Sequence, residues 1–166
     1  MWRCRYSSHY LFKSFRCCGG GVIASSELIE YLRVTAKTYI FSGAFLPSLA
    51  LGIMKGIEII ERDKWRRKKL WENTRYLKNN LDQRGFNTLG SQTPIVPVLI
   101  GDEKTAIDIS RELLQRGIFA PPIRWPAVPH GEARMRFTLT SEYSKKQLDT
   151  LLDNLTDLGE KYKLIQ

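Results

Sequence analysis

No apolar run in this chain approaches the ~20 residues that a membrane-spanning helix needs, so no membrane span is expected. Cysteine is scarce: Cys4, Cys17 and Cys18 are the three in 166 residues. Two of them are adjacent and the count is odd, which argues against a disulfide framework. The only histidines are His9 and His130, so no second Cys/His cluster exists to close a zinc site, and no metal is expected. This cysteine usage fits a reducing cytoplasm, the location expected for the chain. Internal repeats and low-complexity tracts are absent as well.

Acid is missing from residues 1–26, which carry Arg3, Arg5, Lys13 and Arg16. An Arg-rich, Ser-containing, acid-free start superficially suits a mitochondrial transit peptide, but it shows no clear amphipathic helical pattern. The other basic cluster, Arg62 to Lys69, reads R-D-K-W-R-R-K-K, and the whole chain carries a formal charge of +9. That cluster reads as a solvated helix face. No nucleic-acid motif or repeated aromatic-basic pattern accompanies it, so no nucleic-acid partner is expected.

What is present is an ordinary globular composition, 43% hydrophobic and 26% charged, in a length that can bury one core with a small appendage. Residues 1–18 show no regular period. Gly19 to Gly21 predict a turn, Val22-Ile23-Ala24 a short strand, and Ser25 or Ser26 the cap of a helix through Leu32. Tyr39 to Ala44 reads as an extended segment and loop. Leu46, Leu49, Ala50, Ile53, Met54, Ile57 and Ile60 recur at helical spacing, with Pro47 suited to the first turn. A second helix spans about Lys64 to Arg84, with Leu70, Thr74, Leu77 and Leu81 inside and Gly85 as its stop.

The remainder alternates strand and helix. Ile95 to Ile100 predicts a strand that Pro97 pushes to an edge or bulge. Asp102 caps a helix that ends at Gly117. Ile118-Phe119-Ala120 begins a further strand interrupted by Pro121-Pro122. After a Pro-containing loop, Met135, Phe137 and Leu139 alternate with Arg134, Arg136 and Thr138 on a two-faced strand. Ser144 and Gln147 have capping-box spacing before a last helix with Leu148, Leu151, Leu152, Leu155 and Leu158 inside. The expected fold class is α+β: long connecting helices, then a small, largely antiparallel sheet with helices on one side.

A lysine becomes a Schiff-base former when its amine is neutral, which burial or nearby positive charge promotes. Lys13 stands in Leu11-Phe12-Lys13-Ser14-Phe15, followed by Arg16-Cys17-Cys18 and Gly19-Gly20-Gly21. This segment resembles the Schiff-base lysine segment of the α-oxoamine synthases, fold-type I pyridoxal-phosphate (PLP) enzymes of the class I/II aminotransferase superfamily. Further landmarks follow in order. Tyr39-Ile40-Phe41-Ser42-Gly43 resembles the family segment that approaches the cofactor phosphate of a neighbouring subunit. Pro94-Ile95-Val96-Pro97-Val98 with Gly101-Asp102, Pro126-Ala127-Val128-Pro129, and Arg134-Met135-Arg136-Phe137-Thr138-Leu139-Thr140 resemble later strands and a loop of the same family.

The resemblance implies that Lys13 is catalytic and binds PLP, that Ser42 and Gly43 bind its phosphate, and that Arg136 binds the substrate carboxylate. It implies an enzyme joining an acyl-CoA to a small amino acid, of the 8-amino-7-oxononanoate synthase or glycine C-acetyltransferase type, with a general PLP aminotransferase as the near alternative. The family has hydroxyl side chains near the positions of Tyr10 and Phe12 and a small residue near Arg16. Its upstream Gly-rich turn, stacking histidine and pyridinium-pairing aspartate have no counterpart here. The chain is therefore expected to be the C-terminal portion of such a transferase: residues 1–45 from the PLP-binding large domain, 46–86 connecting helices, and 87–166 the small α+β domain. Alone, it is expected to be inactive, either as a truncated remnant or as half of a split enzyme. The partners implied are a second copy in a homodimer or a chain supplying the large domain.

Overall fold

The computed structural model of the protein describes residues 7–10 and 20–165. It divides into two compact units between Asp63 and Lys64.

The first unit opens with an antiparallel hairpin, β1 (Ser7–Tyr10) against β2 (Gly20–Ile23), in register from Ser7 opposite Ile23 to Tyr10 opposite Gly20. Strand β2 was legible in the valine and isoleucine, whereas β1 was not, because Ser-Ser-His-Tyr carries no apolar alternation. Helix α1 (Ser26–Thr35) starts after Ser25, whose extended backbone makes it the N-cap although its hydroxyl makes no capping bond. The segment expected to be extended is instead partly helical: α2 (Lys37–Ile40) is a single turn closed by Phe41 N–H on the Lys37 carbonyl. Four residues are too short for periodicity to show, so the sequence carries no helical signal there. Helix α3 (Pro47–Arg62) begins at the expected proline. Its apolar stripe has no core behind it: none of the described residues of α1, α2 or α3 is buried, and Leu51, Met54, Ile57 and Ile60 are exposed.

The second unit contains the core. Helix α4 (Lys64–Gln83) leads to β3 (Ile95–Gly101), α5 (Glu103–Gln115), the two-residue β4 (Pro122–Ile123), β5 (Ala133–Thr138) and α6 (Lys145–Lys161). The three strands form an antiparallel sheet in the order β3-β5-β4. Pro97 lies on an edge strand, as its missing N–H requires, and the register slips between Leu99 and Gly101. Ile118 to Ala120 do not form the expected strand; only Pro122–Ile123 pairs with β5, because two successive prolines cannot donate to a ladder.

Alternation decides the layering. Val96, Val98, Met135 and Phe137 are buried on one face of the sheet, against Leu77 and Leu81 of α4, Ile109 and Leu113 of α5, and Leu148, Leu152, Leu155 and Leu158 of α6. Each such burial contributes about 1.5–3 kcal/mol. On the opposite face Ile95, Arg136 and Thr138 are exposed. The caps are as the sequence spelled them: Asp102 accepts from Thr105 N–H at 2.7 Å, and Ser144 with Gln147 forms a complete capping box. Asn73, which no pattern announced, is buried in α4 and donates its amide to the carbonyls of Thr140 and Tyr143, each at 3.0 Å. One side chain thus ties the helix to the β5–α6 connection. Among the described residues no helix is long and apolar enough to cross a membrane, and no cluster of metal-ligating side chains occurs.

Two predictions follow from the packing. A β-carbon on Gly159 of α6 would lie 2.6 Å and 2.9 Å from ring atoms of buried Phe86. Alanine gains about 1 kcal/mol of helix propensity, but overpacking a rigid ring costs about 1–3 kcal/mol. Gly159→Ala should therefore lower stability in denaturant titrations, and the loss should vanish or reverse in a Phe86→Leu background. Equal loss in both backgrounds would contradict the contact.

Glu112 of α5 accepts hydrogen bonds from Lys161 Nζ and Tyr162 Oη, both at 2.6 Å, fastening α5 to the end of α6. The Lys161 bond, then that of Tyr162, holds the carboxyl below its ordinary 4.5. The same bond pushes the Tyr162 phenol from 10 up to about 12. A lowered acid stabilises the fold above its unfolded pKa and loses that contribution as pH falls through the folded value. A raised phenol stabilises below its unfolded pKa and loses that contribution as pH rises through about 12. Glu112→Gln should flatten the acid limb of the stability profile and return the tyrosinate absorbance of Tyr162 toward its ordinary range.

Candidate functional site

Lys13 lies outside the described residues. Ser42 and Gly43 follow α2 in the first unit, in the exposed turn that leads toward α3. The Ser42 hydroxyl donates to the carbonyl of Thr38, one turn back. The Gly43 N–H makes no hydrogen bond to the described residues, and space beside its α-carbon is open. The free glycine N–H suits a phosphate oxygen, and the Ser42 hydroxyl joins it only by rotating away from Thr38.

Arg136 lies in β5 of the second unit. Its place is set by the period of two that buries Met135 and Phe137 and turns Arg134, Arg136 and Thr138 to the opposite face. The two arginines then differ. Arg134 is held by Glu132, through its carboxylate at 2.8 Å and its carbonyl at 3.0 Å. Arg136 is exposed and has no acidic partner among the described residues. An unpaired guanidinium keeps its two-pronged face for an external carboxylate.

Arg136 also borders a groove of about 580 Å³ between the 116–121 segment, β5 and the start of α6. Ile118, Phe119, Leu148 and Leu151 give it an apolar lining. Phe119 is 80% exposed, and sequence reading placed it inside a strand rather than at a groove. At the groove's end Arg116 is already engaged, donating to Asn154 at 3.0 Å and to Asp157 at 3.2 Å. The loop before β5 is fixed by His130, whose Nδ1 lies 3.0 Å from Glu103 and whose ring meets Trp125 edge-on.

The order of these elements and the lysine, serine and arginine segments find a match in one family model, aminotransferase class I and II, over residues 11–155. The chain belongs to that family. It is 41% identical over 155 residues to the 8-amino-7-oxononanoate synthase of Symbiobacterium thermophilum, covering 93% of this chain and 40% of that protein. It is 38% identical to the 8-amino-7-oxononanoate synthase/2-amino-3-ketobutyrate coenzyme A ligase of Thermus thermophilus, with 94% and 40% covered. The solved serine palmitoyltransferase of Sphingomonas wittichii superposes with a TM-score of 0.88 at 26% identity, over 97% of this chain and 41% of that one. The 8-amino-7-oxononanoate synthase of Francisella tularensis shares the fold at a TM-score of 0.82 and 23% identity, with 95% and 46% covered.

These likenesses confirm the fold class read from the sequence, a portion of the PLP fold-type I architecture. The chain spans about two fifths of the length of the relatives it matches. A related serine palmitoyltransferase was solved with PLP bound; the unbonded Gly43 N–H, beside a Ser42 hydroxyl that here donates to Thr38, suits a phosphate oxygen of such a cofactor.

Proposed function

We propose that this chain supplies the lysine- and arginine-bearing part of a PLP-dependent acyl-CoA:amino acid C-acyltransferase of the 8-amino-7-oxononanoate synthase type. The observation that carries the reading is the family match from residue 11 to residue 155, which takes in Lys13, Ser42, Gly43 and Arg136 together. The synthase names of its relatives favour acyl transfer over amino transfer.

In this reading Lys13 holds the cofactor through its amine and later carries the α-proton of the substrate at Nζ. Ser42 and Gly43 donate to the phosphate. Arg136 grips the amino-acid carboxylate with two parallel bonds, the work for which its unpaired guanidinium is free. PLP supplies the electron sink when bound. The pyridinium-pairing aspartate and stacking histidine belong to the portion of the family fold this chain does not span. Activity accordingly requires that portion, supplied by a partner chain or within a homodimer of longer chains, and the matched part alone does not turn over.

The test is labelling rather than turnover. The chain is incubated with PLP, reduced with borohydride and mapped by peptide mass. Stoichiometric modification at Lys13, absent in Lys13→Ala, is the expected result. No modification, or scatter over surface lysines, would instead mark a remnant that keeps the fold without its cofactor site.

A further inference from the structure

Helix α4 opens with a composition that works against its own stability. Lys64, Arg66, Arg67, Lys68 and Lys69 crowd its first six residues, and no acid lies in its first turn. The helix dipole puts its positive end there, so these cations are repelled rather than held. Asp63, the acid just before the helix, is bonded by Arg62 at 2.7 Å. Arg66 is held by Glu142 at 2.8 Å. Lys64, Arg67, Lys68 and Arg75 are exposed and have no acidic partner among the described residues. Even Glu72, the acid that lies among them, forms no ion pair with any of them. A local choice that opposes the helix marks a surface shaped by something outside it.

Helical spacing lines these charges up. Asn73, Thr74, Leu77 and Leu81 are buried on the inner face of α4. Lys64, Lys68, Trp71 and Arg75 recur at i, i+4, i+7 and i+11 on the outer face, in a row about 16 Å long. Two indoles are set among the cations. Trp71, 36% exposed, lies in the row. Trp65, 55% exposed, lies beside it, with the Arg66 guanidinium 4.6 Å from its ring centre. Exposed indoles among long basic side chains suit a lipid headgroup layer: the cations meet phosphates, and the amphipathic rings settle at the boundary with the acyl chains. Nucleic acid fits less well. The face is the convex outside of a helix, one indole is already covered by a guanidinium, and the row offers no amide or hydroxyl to read a base edge.

We propose that the outer face of α4 is a peripheral docking surface for an anionic lipid bilayer. The helix lies along the membrane plane, with Lys64, Lys68 and Arg75 against headgroup phosphates and Trp65 and Trp71 at headgroup level. Nothing is inserted across the bilayer, because Leu77 and Leu81 on the opposite face stay packed in the core. The proposal rests on α4 alone and not on the catalytic reading, so the outcome of Lys13 labelling leaves it untouched.

The test is vesicle sedimentation of the full chain, with phosphatidylcholine alone and with about 30% phosphatidylglycerol added. Binding should require the anionic lipid, weaken as salt rises, and shift tryptophan emission to the blue. Trp65→Phe with Trp71→Phe should remove most of that shift. Lys64→Gln with Lys68→Gln should weaken binding about 25-fold, a factor of about five per cation. Its thermal midpoint should not fall, because the Lys64 charge opposes the helix dipole and glutamine keeps the helix propensity. This separates lost docking from lost folding. Lys104→Gln with Arg111→Gln removes the same charge from α5 and should weaken binding less than about threefold. No binding to the anionic vesicles, an equal loss in the two double variants, or an α4 variant that loses binding to DNA while its vesicle binding is unchanged would each overturn the proposal.

Discussion

The seam between β5 and the three helices above it is the contact on which the rest of the second unit depends. Met135 and Phe137 point inward from β5 with Val96 and Val98 of its neighbour, and α4, α5 and α6 each contribute leucine or isoleucine to the same layer. Because strand side chains alternate, fixing Met135 and Phe137 inside fixes Arg136 and Thr138 outside. A one-residue slip would bury both polar side chains and expose the core. The register that hides the apolar residues is therefore also what presents the Arg136 guanidinium.

The two units differ in the same physical terms. Residues 64–165 enclose a layer of fully buried leucine, isoleucine, valine and methionine side chains. In residues 20–63 no described residue is buried, while Val34, Phe41 and Leu51 stand exposed. A helix such as α3 is amphipathic in sequence because its apolar stripe is meant to be covered.

Much of this was legible in the sequence where a pattern was long enough to register. The leucines of α6, the capping box at Ser144, the cap at Asp102 and the proline start of α3 all stand where spacing put them. Alternation around Met135 gave the two-faced strand. Short elements escaped: β1 carries no apolar alternation, α2 is one turn long, and Pro121-Pro122 suppressed a strand that Ile118 and Phe119 suggested. Asn73 escaped because a buried amide bonded to two carbonyls distant in sequence leaves no trace in composition. For the site, Arg136 and Arg134 look equivalent in sequence. Only the ion pair to Glu132 separates them. Lys13, the residue with the most specific motif, lies outside the described residues, so its assignment rests on resemblance.

Residue-resolved native-state hydrogen exchange tests the central claim most directly, because it reads the stability of each unit separately. Strong, cooperative amide protection is expected for β3, β5 and the inner turns of α4, α5 and α6, with α1 and α3 exchanging orders of magnitude faster. Protection in α3 equal to that of β5 in the chain on its own would contradict it, because residues 20–63 would then hold a core that the described structure lacks.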